Sequence, residues 1–102
     1  VHPGGILTGL AKFMTPEETE SLVSRLQSMM KTVEQGAATT VWAAVSHQLD
    51  TLGGVYCENC NIAVPVPADS QETYGVRPWA TDPVLAERLW ALSEKITGLK
   101  IT

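Results

Sequence analysis

From Gly36 to Val45 the chain carries no charge, and Ala37, Ala38, Val41, Trp42, Ala43, Ala44 and Val45 fill most of that stretch. Just before it, Thr32-Val33-Glu34-Gln35 places Gln35 three residues after Thr32, the spacing at which a helix N-cap and its third residue exchange hydrogen bonds. A helix is therefore expected to open at Thr32 and to run to about Gln48, apolar on nearly every face. Such a helix has to be covered on more than one side, and its small residues allow a backbone to lie close against a sheet. The rest of the 102 residues offers little to cover it.

The other elements read as follows. Thr15-Pro16-Glu17-Glu18 is a strong helix start: Thr15 caps, Pro16 suits the first helical position and Glu18 closes a capping box. This helix is expected to reach about Lys31, with Leu22, Val23, Leu26, Met29 and Met30 on one stripe and Glu17, Glu20, Ser24 and Gln27 facing water. Asp82-Pro83 opens a third helix, capped by Thr81 or Asp82, with Val84, Leu85, Leu89, Trp90, Leu92 and Ile96 inward and Gly98 as its stop. Leu52-Gly53-Gly54 breaks the chain before Val55-Tyr56-Cys57, the one convincing strand besides whatever Val1 terminates. Residues 1 to 15 read as a loop with a frayed helical turn at most, and residues 61 to 80, with Pro65, Pro67, Gly75 and Pro78, as an extended linker.

Length and composition narrow the classes. With 102 residues, 44% apolar and 18% charged, the chain fits one globular domain and is not disordered by composition. Its net charge is −4, and the seven basic residues are scattered from Lys12 to Lys100, so no clustered cationic surface exists for nucleic acid. No apolar run approaches the ~20 residues that cross a bilayer, and no charged-then-apolar leader opens the chain, which points to a cytoplasmic protein. Two cysteines make no disulfide framework, consistent with a reducing compartment. The opening Val1-His2-Pro3-Gly4-Gly5 reads as if cut from the middle of something longer.

Three features bear on chemistry. Cys57-Glu58-Asn59-Cys60 has the spacing of a dithiol redox pair or half a zinc site. A thioredoxin-like pair feeds a helix, whereas here Asn61-Ile62-Ala63-Val64-Pro65 follows; zinc needs four ligands, and only His2 and His47 remain to join. Two ordinary thiols are the expectation. Gly4-Gly5-Ile6-Leu7-Thr8-Gly9-Leu10-Ala11 imitates a dinucleotide loop, but Pro16 soon interrupts any helix and no acidic residue closes a second strand ~20 residues on. His47 is expected to be solvated or capping, and His2 to brace a turn before Pro3. No Ser/His/Asp set, paired carboxylates or His-Glu-x-x-His occurs, so no catalytic or metal-binding residue is assigned.

Four segments in register go further: Val1-His2-Pro3-Gly4-Gly5-Ile6-Leu7-Thr8; Lys31-Thr32-Val33-Glu34-Gln35-Gly36-Ala37-Ala38-Thr39; Gly53-Gly54-Val55-Tyr56-Cys57-Glu58-Asn59-Cys60; and Ala86-Glu87-Arg88-Leu89-Trp90-Ala91-Leu92-Ser93-Glu94. Together they resemble the C-terminal segment of short-chain dehydrogenases/reductases, nearest the retinol-dehydrogenase-like and WW-domain-oxidoreductase-like branch, over essentially the whole chain. The resemblance implies an α/β fold in which residues 1–102 are the C-terminal portion of a Rossmann-type, doubly wound parallel sheet within one domain. About three helices and one or two short strands would be present, and the N-terminal dinucleotide-binding part absent.

By the same resemblance the parent uses NAD or NADP on a small-molecule alcohol/carbonyl pair. The Ile6 backbone would bond the nicotinamide carboxamide, Thr8 would offer its hydroxyl to the carboxamide or pyrophosphate, and Pro3-Gly4 would shape the turn. Gly9 to Met30 would form a mobile lid, and the seventh strand with its neighbouring helix a surface for self-association. The family's Tyr-x-x-x-Lys is missing, since Cys60 stands four residues after Tyr56 and Pro78 four after Tyr74. These residues alone are thus expected to be inactive. An alternative is a non-catalytic helical interaction domain derived from that fold, and a third reading is a small redox or zinc protein using Cys57 and Cys60.

Overall fold

Reciprocal capping builds the first two helices. In the computed structural model, which describes residues 1–101, the Thr15 hydroxyl accepts the Glu18 N–H at 3.2 Å and the Glu18 carboxylate accepts the Thr15 N–H at 2.8 Å. Thr32 and Gln35 repeat the exchange at 3.2 and 2.9 Å. Helix α1 spans Pro16–Leu26 and α2 spans Val33–Val45. Both end before the sequence periodicity does. After α1 a 3-10 turn, Gln27–Met29, releases the chain into extended backbone at Met30, which forms a parallel bridge with Gly5 in which the Lys31 N–H donates to the Gly5 carbonyl at 2.8 Å. A helix carried to Lys31 would forfeit that pairing. After α2, extended Ser46 turns the chain and caps a second 3-10 turn, His47–Leu49, by accepting the Gln48 N–H.

The strand region differs from expectation in its register. Strands β1 (Cys57–Glu58) and β2 (Asn61–Ile62) pair antiparallel, Cys57 opposite Ile62 and Glu58 opposite Asn61. Asn59 and Cys60 form the two-residue turn between them with φ of 51° and 55°, the positive pair that matches hairpin turns to strand twist. On the other side of β1, His2 makes a parallel bridge to Glu58 in which its N–H donates to the Cys57 carbonyl at 2.8 Å. The protein is therefore mixed α/β, with three α-helices and one antiparallel hairpin, and parallel pairing among the described residues is confined to isolated bridges.

Two units compose the chain, Val1–Ala63 and Val64–Thr102. In the first, α2 lies against β1, and Gly36 and Thr39 of α2, Cys57 of β1 and Ala63 just after β2 are buried. A Cβ on Gly36 would fall onto the Ile6 side chain; what the small residue admits at close range is Ile6. In the second unit, residues 64–77 are a closed loop instead of an extended linker. The Val76 N–H reaches the Val64 carbonyl at 2.9 Å and the Val66 N–H the Val76 carbonyl at 3.0 Å. The Arg77 guanidinium gathers the carbonyls of Ser70, Glu72, Tyr74 and Gly75.

Helix α3 (Pro83–Thr97) starts at Asp82, whose carboxylate accepts the Val84 and Leu85 N–H groups at 2.8 and 3.0 Å, and stops at Gly98 with φ 72°. Its apolar residues Val84, Leu85, Leu89, Trp90, Leu92 and Ile96 are exposed, correcting the inward placement expected from periodicity: the described residues supply no layer to cover them. Among the described residues, no helix is long and apolar enough to cross a membrane.

Candidate functional site

The N-terminal turn is shaped by local bonds. His2 accepts the Gly4 N–H on Nδ1 at 3.2 Å, bracing the turn through Pro3. Gly4 sits at φ 94°, a conformation that residues with a Cβ rarely adopt. The stem of Lys31 lies across it, so a Cβ there would also come within 2.7 Å of Lys31 Cδ. Gly5 is tied to Lys31 by the bridge described above. Ile6 anchors its side chain over Gly36, and no hydrogen bond among the described residues engages its backbone. Thr8 uses its hydroxyl oxygen to accept the Leu10 N–H at 3.3 Å, capping a 3-10 turn, Gly9–Phe13. Its hydroxyl proton stays available. Pro3, Gly4 and Ile6 thus share one turn, and Thr8 lies just beyond it.

Three residues beside this turn carried no functional reading in the sequence. Lys31 Nζ donates to Asn59 Oδ1 at 2.7 Å. The next residue, Cys60, donates its N–H to Thr39 Oγ1 at 3.1 Å, and Thr39 is only 1% exposed. Asn59 is a residue type that tolerates positive φ, and Thr39 is one of two adjacent threonines in the charge-free stretch from Gly36 to Val45. Those are the only marks either leaves in the sequence. Lys31 leaves none, standing one place before a helix cap.

The hairpin also accounts for the cysteine spacing. Cys57 is a buried strand residue and Cys60 an exposed turn residue, both free thiols, and the Cys60 thiol lies 3.9 Å from Thr39 Oγ1. No group of three or more His, Cys, Asp or Glu able to hold a metal ion occurs among the described residues. His47 is exposed and meets Asp50 at 3.1 Å within its own turn. Across Gly9 to Met30, Leu10 and Phe13 are 85% and 83% exposed, and an open groove is lined by Met14, Glu17, Glu18, Ser21, Leu22 and Arg25.

Because His2 and Glu58 pair in parallel, the Pro3–Gly4 and Asn59–Cys60 turns leave from the same, carboxyl, end of the paired segments. In open parallel α/β sheets this is the end at which ligands bind.

No family model matches the chain, and no solved structure matches it. It is 42% identical over 99 residues to the short-chain dehydrogenase/reductase prx1 of Penicillium rubens, an alignment covering 95% of this chain and 29% of that protein. With the WW domain-containing oxidoreductase of Danio rerio it shares 39% identity over 106 residues, covering all of this chain and 22% of the relative. The oxidoreductase calI of Penicillium decumbens is 38% identical over 71 residues, 69% of this chain and 20% of its own. The chain thus spans less than a third of the length of each of these relatives.

Proposed function

The chain belongs to the short-chain dehydrogenase/reductase family, matching its C-terminal segment, and from that premise we propose that residues 1–102 are the C-terminal part of a single NAD(P)-dependent oxidoreductase domain acting on an alcohol/carbonyl pair. The observation that carries this reading is the turn Pro3–Thr8. It leaves the carboxyl end of a parallel pairing and presents an Ile6 backbone that nothing inside the described residues engages. Such a turn fits the nicotinamide side of a dinucleotide. In the assembled domain, His2 and β1 would lie at the edge of a Rossmann-type parallel sheet.

When bound, the nicotinamide donates or accepts the hydride. Gly4, held at positive φ, turns the backbone so that Ile6 meets the carboxamide. Thr8 keeps its hydroxyl oxygen on Leu10 and directs its proton to the carboxamide or the pyrophosphate. The segment Gly9 to Met30, with Leu10 and Phe13 outward, closes over the substrate and excludes water. The proton-donating Tyr-x-x-x-Lys and the pyrophosphate-binding glycines belong to the part of the domain outside these residues. Two free thiols suit a reducing, cytoplasmic location.

Calorimetric titration of NADH and NADPH into the full-length protein and into residues 1–102 tests the reading. Full-length protein is expected to bind one of them and residues 1–102 neither. Thr8→Val in the full-length protein should weaken binding by ~0.5 to 1.5 kcal/mol, the net value of one hydrogen bond. Tight binding by residues 1–102 alone, or an unchanged Kd for Thr8→Val, would overturn it.

A further inference from the structure

We propose that Lys31 is a positioning residue for the cofactor turn, a strut joining the Pro3–Gly5 backbone to the Asn59–Cys60 hairpin turn; this rests on the reading that Pro3–Thr8 faces the nicotinamide. Lys31 is fastened at both ends. Its backbone N–H donates to the Gly5 carbonyl at 2.8 Å, its stem crosses Gly4, and its ammonium donates to Asn59 Oδ1 at 2.7 Å. Asn59 is itself fixed, because its neighbour Cys60 donates to the buried Thr39 Oγ1 at 3.1 Å. A continuous line of contacts therefore runs from the interior of α2, through the hairpin turn and Lys31, to the residues on either side of the Gly4 carbonyl.

The geometry explains why the anchor must come from a side chain. Gly4 and Gly5 have no side chains to pack, and Gly4 is at φ 94°, so the turn draws little rigidity from its own residues. The next fixed point along the chain is Ile6 over Gly36. Lys31 supplies the missing restraint on the near side. Both turns lie at the carboxyl end of the His2–Glu58 pairing, so the strut spans the mouth of the proposed site. A displaced turn would misplace the Ile6 amide, and hydrogen bonds weaken steeply with misalignment.

The test uses the full-length protein with Lys31→Met, which keeps the apolar stem and removes the donor, Lys31→Arg, which restores a donor, and Asn59→Gly, which removes the acceptor while tolerating positive φ. Two ligands are titrated: the reduced dinucleotide that wild type binds more tightly, and ADP-ribose, which lacks the nicotinamide. The expected result is that Lys31→Met and Asn59→Gly each raise the Kd for the dinucleotide about five- to tenfold, leave that for ADP-ribose unchanged, and do not add in the double variant. Lys31→Arg should recover most of the loss.

Equal weakening of both ligands would mean general destabilisation and would overturn the proposal, as would wild-type affinity in both single variants. An effect of Lys31→Met with none from Asn59→Gly would show direct contact with the ligand and overturn the strut. Should Lys31→Met fail to fold, Asn59→Gly against the two ligands decides alone. Wild type that binds neither dinucleotide would refute the oxidoreductase reading itself, a result separable from all of these.

Discussion

Thr39 is the single buried polar side chain among the described residues, and its one hydroxyl satisfies the Cys60 N–H in the hairpin turn. Val has the same shape without the oxygen. Thr39→Val should therefore leave a donor without its partner and lower stability by about 1 to 3 kcal/mol, read as a fall in Tm, while Thr39→Ser should retain most of it. A Tm for Thr39→Val equal to wild type would remove the hydroxyl from the account. The contrast with the cysteines is instructive. Their spacing is that of a redox or metal pair, yet Cys60 is placed by a turn and Cys57 by a strand, and neither thiol has a bond of the length that Thr39 makes. Sequence did not separate Thr39 from the adjacent Thr40 within the apolar run; its partner lies twenty-one positions on and has no pattern to announce it.

At the scale of elements, what was legible was whatever is decided within four residues. Both capping boxes, the Pro16 and Pro83 starts and the Gly98 stop depend on neighbours along the chain, and each stands in the structure where its spacing put it. Asp82→Ala, which strips α3 of two N-terminal acceptors, should cost about 1 kcal/mol, measured as lost helicity on heating. What was not legible was decided at a distance. α1 stops early because Met30 pairs with Gly5, and β2 exists because Asn59 and Cys60 accept positive φ. The loop after β2 closes because one guanidinium holds four backbone carbonyls, and carbonyls are common to every sequence. Arg77→Lys keeps the charge but loses the planar fork; limited proteolysis should then cut between Pro67 and Tyr74 faster than in wild type. Equal cleavage rates would show that the Val64–Val76 and Val66–Val76 bonds close the loop unaided.

For the molecule as a whole, the apolar surface exceeds what the chain can hide. Val41 and Val45 on α2 and the outward row of α3 remain in contact with solvent, and patches beyond a few hundred Å² are uncommon on soluble monomers. Residues 1–102 alone should self-associate or bind a hydrophobic dye, checked by analytical ultracentrifugation and dye fluorescence. A monomeric, dye-negative, cooperatively melting species would favour the self-standing helical domain. The sequence showed this shortage of cover in α2, because the charge-free run from Gly36 to Val45 is visible residue by residue; the periodicity of α3 marks an apolar face but not whether anything covers it. The bridge between His2 and Glu58 adds an order in time. It joins the opening residues of the first unit to nearly its last, so the intervening chain must be gathered before the bond can form, and closing a long loop is the slow, entropically disfavoured step. During synthesis the hairpin can close within six residues as soon as it emerges, whereas His2 has to wait for it. The turn at Pro3 and Gly4 is thus the first part of this segment to be made and among the last to be fastened.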